Sequence, residues 1–318
     1  MSQNSNEDFR LKDRLIERHH LKPDHFLGEG SEAVFFLQGE TVLRFMRGSL
    51  NAGKSKAKKM QAFYRDLNSQ DLGFEIPQIY SIEDFQGICL CKEKFLGRKT
   101  LESALIEADQ ELQDQLISQY FNLVKAVQKL VSYQFNAYGE ILSDSVLQRN
   151  DWSQFLVDRA SQALEKSLGS LREDIPGFDD LLTQWQNAVL AIENPVPSLV
   201  HGDLYPPNVM VERGSIHALI DFSPISIVGD WRMDLVGGSI FLEICKSHQR
   251  EQRILFDSMI WQDAECNLDQ NLFDLYTIYY GIYFSAYAVP KSGELYRWCV
   301  KRIVEAAQRS LFHASPTA

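Results

Sequence analysis

Residues 199–222 read LVHGDLYPPNVMVERGSIHALIDF, and the order of the polar residues here decides what kind of chain this is. His201, Asp203 and Asn208 follow one another as H-x-D-x-x-x-x-N. Two short strand-like runs come next, VMVE and HALID, joined by Arg213-Gly214, and the second ends on Asp221 and Phe222. The pattern reads as a loop leading into a hairpin. An Asp and an Asn on one tight loop, with a second Asp at the end of a facing strand, converge on a point that suits a hard cation and a hydroxyl. Asn208 and Asp221 offer oxygens to Mg2+ bridging nucleotide phosphates, and Asp203 accepts the proton of an attacking alcohol.

On the N-terminal side, a first helix is expected from about Glu7 to His20, ending before Pro23. Five short runs rich in β-branched or aromatic residues follow: His25 to Leu27, Ala33 to Leu37, Thr41 to Met46, Gln78 to Glu83 and Ile88 to Lys92. Only one helix, Lys54 to Leu67, interrupts them, so they form an antiparallel meander rather than a strand-helix alternation. Beyond Gly97 the periodicity is helical over Thr100 to Val131, Trp152 to Leu168, Asp179 to Ile192, Asp234 to Ser247 and much of Asp269 to Phe312. The expected fold class is α+β, with a small antiparallel β lobe carrying one helix and a larger, mainly α lobe.

The same residues resemble a known family. HGDLYPPNVM is similar to the catalytic loop of the aminoglycoside phosphotransferases, IDF to their metal-binding strand end, and the stretch from Gly229-Asp230 to Asp234-Leu235 to their following G-D and D-L signature. The layout from GEGSEAVFF through VLRF to FEIPQIY resembles the hygromycin-type members. This resemblance spans nearly the whole chain and implies a two-lobed protein-kinase-like fold. It implies a nucleotide-binding lobe with hinge over 1–97 and a catalytic, substrate-binding lobe over 98–318. It further implies ATP as phosphoryl donor, Mg2+ as metal and a small-molecule hydroxyl as acceptor.

Further site residues follow from the resemblance. Gly28, Gly30 and Ser31 lie in a glycine-rich turn whose backbone approaches phosphate closely, although Ala33 stands where protein kinases have a third glycine. Arg44 occupies the place of the kinase lysine that grips the α- and β-phosphates, and supplies a forked positive charge. The segment Lys92 to Gly97 resembles the hinge that pairs with adenine, with Glu93 and Phe95 as its contacts. His201 joins Asp203 in the catalytic set as the residue that orients the loop, and Asp230 and Asp234 brace a helix start.

One departure is plain. Between Ser49 and Arg65 there is no acidic residue, and Met60 or Gln61 stands about where the family has the helix glutamate that orients the phosphate-gripping side chain. Asp66 is the nearest substitute. Without one, Arg44 lacks its partner, which keeps open a non-catalytic, nucleotide-binding regulatory protein.

A second alternative comes from GSLNAGKS at residues 48–55, which fits the P-loop pattern G-x-x-x-x-G-K-[ST]. A P-loop NTPase needs parallel strands and a nearby Walker-B strand. The resemblance instead places these residues on the loop after the strand of Arg44, with Lys54, Lys56, Lys58 and Lys59 as a solvated basic face.

Composition bounds the remaining classes. The 318 residues are 45% hydrophobic and 24% charged, an ordinary globular balance. A net charge of −11 argues against a nucleic-acid partner. Residues 1–99 carry 16 Lys/Arg against 14 Asp/Glu, and residues 100–318 carry 16 against 29, as suits an anionic nucleotide in one part and a cationic small molecule in the other. Asp144, Asp151, Asp158, Asp230, Asp234, Glu243 and Asp257 are candidate amine partners. Tyr276, Tyr279, Tyr280, Tyr283, Phe284 and Tyr287 recur at helical spacing, as core aromatics do. The five cysteines form no C-x-x-C pair and are expected as buried thiols. No apolar run reaches a membrane-spanning length and the N-terminal stretch lacks a signal-peptide core, so the expectation is a cytoplasmic chain without a membrane partner.

Overall fold

Phe26–Glu29 (β1), Ala33–Gln38 (β2), Thr41–Met46 (β3), Ile79–Phe85 (β4) and Ile88–Lys94 (β5) form one antiparallel sheet in the order β1-β2-β3-β5-β4. The structure is a computed structural model that describes residues 11–30, 32–130, 137–143, 147–244, 250–288, 291 and 293–310. It comprises two compact units. One holds the described residues up to Arg98 together with His217–Asp221, and the other holds Lys99–Ile216 and the chain from Phe222 onward.

In the first unit the period-two alternation of the strands separates two faces. Val34, Phe36, Leu43, Phe45, Ile88 and Leu90 form one core with Leu11 and Leu15 of the helix Leu11–His19 (α1). A second helix, Leu50–Asn68 (α2), packs on β4 and β5. Gly53 of α2 sits so close to the sheet that a Cβ there would lie 2.7 Å from the Cβ of Cys89 and 3.2 Å from that of Met46. His217–Asp221 belong here through the backbone. The Glu75 amide donates to the His217 carbonyl at 2.7 Å, and the Leu219 amide donates to the Glu75 carbonyl at 2.9 Å.

These observations correct the reading of residues 48–55. The segment is not a loop from end to end: Ser49 is the N-cap, its Oγ accepting the Ala52 amide at 3.4 Å, and the helix begins at Leu50. The strand before it, β3, is antiparallel to both neighbours, the reverse of the parallel framework that a P-loop NTPase needs.

The second unit is mainly helical. The expected run from Thr100 to Val131 is two helices, Leu101–Glu107 (α3) and Gln110–Val127 (α4), because Asp109 starts a new helix by accepting the Leu112 amide at 3.0 Å. Four strands that the sequence reading did not anticipate as a sheet, Tyr138–Glu140 (β6), Gln148–Arg149 (β7), Ser198–Val200 (β8) and Ile227–Gly229 (β11), pair in the order β7-β6-β11-β8. Val209–Glu212 (β9) and Ser215–Leu219 (β10) form the expected hairpin. The helices Trp152–Asp174 (α5), Phe178–Leu190 (α6), Arg232–Phe241 (α7), Arg250–Gln262 (α8), Gln270–Ser285 (α9) and Glu294–Ser310 (α10) complete the unit.

Helix α9 is the hub, packing against α10, α5, α7 and α6. Tyr276, Tyr279, Tyr280 and Tyr283 are buried on it, which makes them core. The expected helix over Asp234 to Ser247 stops at Phe241, α8 was not foreseen, and Asp269 to Phe312 contains two helices. Parts of these expectations, residues 7–10, 131, 245–247, 289–290, 292 and 311–312, lie outside the described residues. Cys89, Cys91, Cys266 and Cys299 are free and buried. Among the described residues no helix is long and apolar enough to cross a membrane.

Candidate active site

The loop from His201 to Asn208 follows β8 in the second unit. Its first turn is stapled by Asp234 of α7, whose carboxylate accepts the His201 amide at 2.7 Å and the Gly202 amide at 2.9 Å. Gly202 has a φ of +78°, and a Cβ there would lie 2.8 Å from the Ile225 carbonyl oxygen, so both conformation and space require glycine. His201 is fully buried. Its Nδ1 accepts the Asp203 amide at 3.2 Å, its carbonyl accepts the Ser226 hydroxyl at 2.9 Å, and its ring meets Phe222 edge-on at 4.5 Å. Tyr120 of α4 donates its hydroxyl to the Leu204 carbonyl.

This scaffold leaves Asp203 half-buried. The Asn208 amide nitrogen donates to the Asp203 carbonyl at 2.9 Å and to its Oδ2 at 3.2 Å. One side of the Asp203 carboxylate is thereby fixed, and the Asn208 amide oxygen is not consumed by these bonds. Burial pushes the Asp234 carboxyl from its ordinary value of 3.8 up to about 7. The two amides oppose that rise, and the negative charge of Asp203 adds to it.

Arg159, from α5, was missed by the sequence reading. It is buried, and its Nη2 donates to the Pro224 carbonyl at 2.9 Å while its Nε pairs with Glu140 at 3.1 Å. Its guanidinium also donates to the Tyr279 and Tyr283 hydroxyls at 3.1 and 3.2 Å, so it clamps the chain just beyond Phe222. The available signal was its spacing, since Arg159 falls on the stripe of Trp152, Phe155, Leu156, Ala160 and Ala163 that α5 buries.

Most acidic side chains considered as amine partners are engaged elsewhere. Asp151 caps α5, Asp158 pairs with Arg149 and Asp230 with Arg232, while Glu243 and Asp257 both meet Arg253. Asp230 also accepts the Tyr276 hydroxyl at 2.5 Å. Asp144 lies outside the described residues.

In the first unit, the glycine-rich turn joins β1 to β2. The Gly30 amide donates to the Ala33 carbonyl at 2.9 Å, and Arg47 holds the turn through the Gly30 carbonyl at 3.1 Å and Glu29 at 2.7 Å. A Cβ on Gly28 or Gly30 would meet nothing within 4 Å, and neither residue has a positive φ. Ser31 lies outside the described residues. At the other end of the sheet, the Lys94 amide donates to the Gln78 carbonyl at 2.9 Å and the Phe95 amide to the Glu40 carbonyl at 3.4 Å.

Arg44 is buried on β3 with its guanidinium 5.0 Å from the Phe35 ring centroid. Its Nε lies 2.9 Å from Oε1 of Glu93 on β5, and its Nη1 lies 3.7 Å from Sδ of Met60 on α2. Burial would lower its affinity for a proton, but the charges of Glu93, Tyr64 and Asp221 outweigh burial and hold it above the ordinary arginine value. Asp221 is exposed, with a φ of +65° that few residues other than glycine adopt.

Asn208 and Asp221 each carry a side-chain oxygen of the hard kind that Mg2+ takes. Among the described residues no group of three or more His, Cys, Asp or Glu side chains could enclose a metal by itself.

The fold has known likenesses. It is similar to that of a thermostable mutant of aminoglycoside phosphotransferase APH(4)-Ia in its apo form, at 19% identity and a TM-score of 0.66, covering 94% of this chain and 99% of the other. A further variant of that thermostable mutant, solved in a ternary complex with ADP and hygromycin B, gives 19% identity and a TM-score of 0.68, covering 94% and 98%. ADP-bound APH(2'')-Ib gives 18% and 0.57, covering 96% and 97%. No curated protein matches the sequence itself. The model of the phosphotransferase enzyme family matches residues 25–263, which include the glycine-rich turn, Arg44, the His201 to Asn208 loop and Asp234. With the α+β, protein-kinase-like fold and this match, the chain belongs to the phosphotransferase enzyme family.

Proposed function

We propose that this enzyme, a small-molecule kinase, transfers the γ-phosphoryl group of ATP to a hydroxyl of a small, hydroxylated or cationic molecule, with Mg2+ as its metal. The observation that carries the reading is the Asp203 carboxylate. Asn208 holds one side of it, and its loop is stapled by Asp234, yet the residue is only half-buried. Asp203 takes the proton of the acceptor hydroxyl as that oxygen bonds to the γ-phosphorus. The bond from phosphorus to the β,γ-bridging oxygen breaks, and ADP leaves with the electron pair.

Asn208 and Asp221 are assigned to Mg2+, which when bound neutralises charge on the phosphates. Arg44 and the backbone around Gly28, Gly30 and Ser31 are assigned to the phosphates. The open space above Gly28 and Gly30, with no backbone need for glycine at either, supports that role. Glu93 and Phe95 are assigned to the adenine through their backbone, and His201 positions the Asp203 amide rather than touching the acceptor.

A coupled ADP-release screen against amines, sugars and antibiotics tests the proposal, with Asp203→Asn as the control. Turnover with at least one hydroxylated acceptor is expected, falling on the order of a thousandfold in the control. Full activity of Asp203→Asn would end the assignment.

A further inference from the structure

Kinases of this fold orient the cation that grips the phosphates with a glutamate from the helix, and the position of that helix controls whether the pair forms. Here the helix side chains that meet Arg44 are Met60, whose sulfur lies 3.7 Å from Nη1, and Tyr64, neither of them a carboxylate. A thioether is apolar and accepts hydrogen bonds only weakly. The carboxylate that meets Arg44 comes from the sheet. Arg44 stands directly opposite Cys91 in the β3–β5 register. Glu93, two residues along β5 on the same face, is its diagonal neighbour and reaches Nε at 2.9 Å. Both side chains are buried, at 9% and 5% exposure, where a charge without a partner costs several kcal/mol.

Building on the reading of Arg44 as a phosphate ligand, we infer that Glu93 is its positioning residue, a strand-borne replacement for the missing helix glutamate. The choice of arginine fits this arrangement. A lysine has one nitrogen, which would have to serve both the carboxylate and the phosphates. Arginine meets Glu93 at its Nε as an ion pair at 2.9 Å and carries two further nitrogens on a rigid fork, one of them 3.7 Å from the Met60 sulfur. Because partner and cation sit on adjacent paired strands, the pair forms whenever the sheet does, and no movement of α2 is needed to assemble it. The motive for a non-catalytic reading, an arginine without an acidic partner, falls away.

The test compares binding of MgATP and of adenosine, which lacks phosphates, by calorimetry on the full chain. In Glu93→Gln the ratio of MgATP affinity to adenosine affinity is expected to fall about tenfold or more relative to the parent, because the substitution removes the charge facing Arg44 and keeps the backbone assigned to adenine. Glu93→Asp, which keeps the charge but withdraws it by one methylene, is expected to be intermediate, and it carries the test if Glu93→Gln does not fold. Unchanged MgATP affinity in the folded variants, or equal loss of both ligands, overturns the inference. Arg44→Gln separates the two levels. If it spares MgATP, the phosphate reading fails and the inference with it; if it loses MgATP while both Glu93 variants keep it, only the positioning role fails.

Discussion

Asp234 Oδ2 accepts the backbone amide of His201 at 2.7 Å across 33 positions of sequence, so a carboxylate on one helix fixes where the loop of Asp203 begins. Burial raises this carboxyl to about 7 from 3.8. Between those values the folded state holds a proton that the unfolded state has released. The contribution to stability is therefore full below about pH 4 and is lost as the pH rises through about 7. Urea midpoints measured from pH 4 to 8 should fall more steeply for the parent than for Asp234→Asn, which cannot titrate. Parallel curves would remove the coupling.

Gly202→Ala should be among the more damaging single-methyl additions. The left-handed backbone and the Ile225 carbonyl at 2.8 Å from the new Cβ together cost about 1–3 kcal/mol. Thermal unfolding should show the loss, and kcat should fall with it because Asp203 is the next residue.

Gly28→Ala and Gly30→Ala should behave in the opposite way. Their methyls meet no protein atom within 4 Å, so stability should stay within about 0.5 kcal/mol. The KM for ATP should nevertheless rise several-fold, because the added groups occupy space assigned to phosphate. A KM unchanged in both variants would show that the turn does not approach the nucleotide.

At the look-alike octet, Lys54→Ala should leave ATP affinity unchanged. Gly53→Ala should lower the unfolding free energy by about 1–2 kcal/mol, because a Cβ at 2.7 Å from Cys89 outweighs the gain in helix propensity. Calorimetry and chemical denaturation read the two outcomes separately.

Arg159→Met removes a buried cation from two carbonyls, two phenols and Glu140. A loss of about 3 kcal/mol or more is expected, seen as a lowered denaturation midpoint.

How far the sequence could be read depended on whether a residue's role is local. The meander was visible because its strands are short runs rich in β-branched or aromatic residues, with β2, β3 and β5 reaching six or seven residues. The loop from His201 to Asn208 stood out by its spacing, whereas Asp234, read as bracing a helix start, accepts the His201 and Gly202 amides instead. The partner of Arg44 did not stand out. Glu93 was read as part of a hinge, since choosing it over Asp66 requires the register of β3 against β5, which spacing along one strand does not contain. The sheet of β6, β7, β8 and β11 escaped because its strands are two or three residues long, too short to show alternation. Helix α8 escaped because it buries only Gln252, Phe256 and Ile260, a single thin row. The break between α3 and α4 carries no glycine or proline, and only the Asp109 cap marks it.

The cap at Ser49 and the tight fit of Gly53 have a wider implication. At least two letters of GSLNAGKS are dictated by how a helix starts and how near it lies to two cysteine- and methionine-bearing strands, demands unrelated to nucleotide chemistry. A census that sorts chains by such octets will file this one among motors and switches. Asking whether the preceding strand runs against its neighbours would return it to its kin.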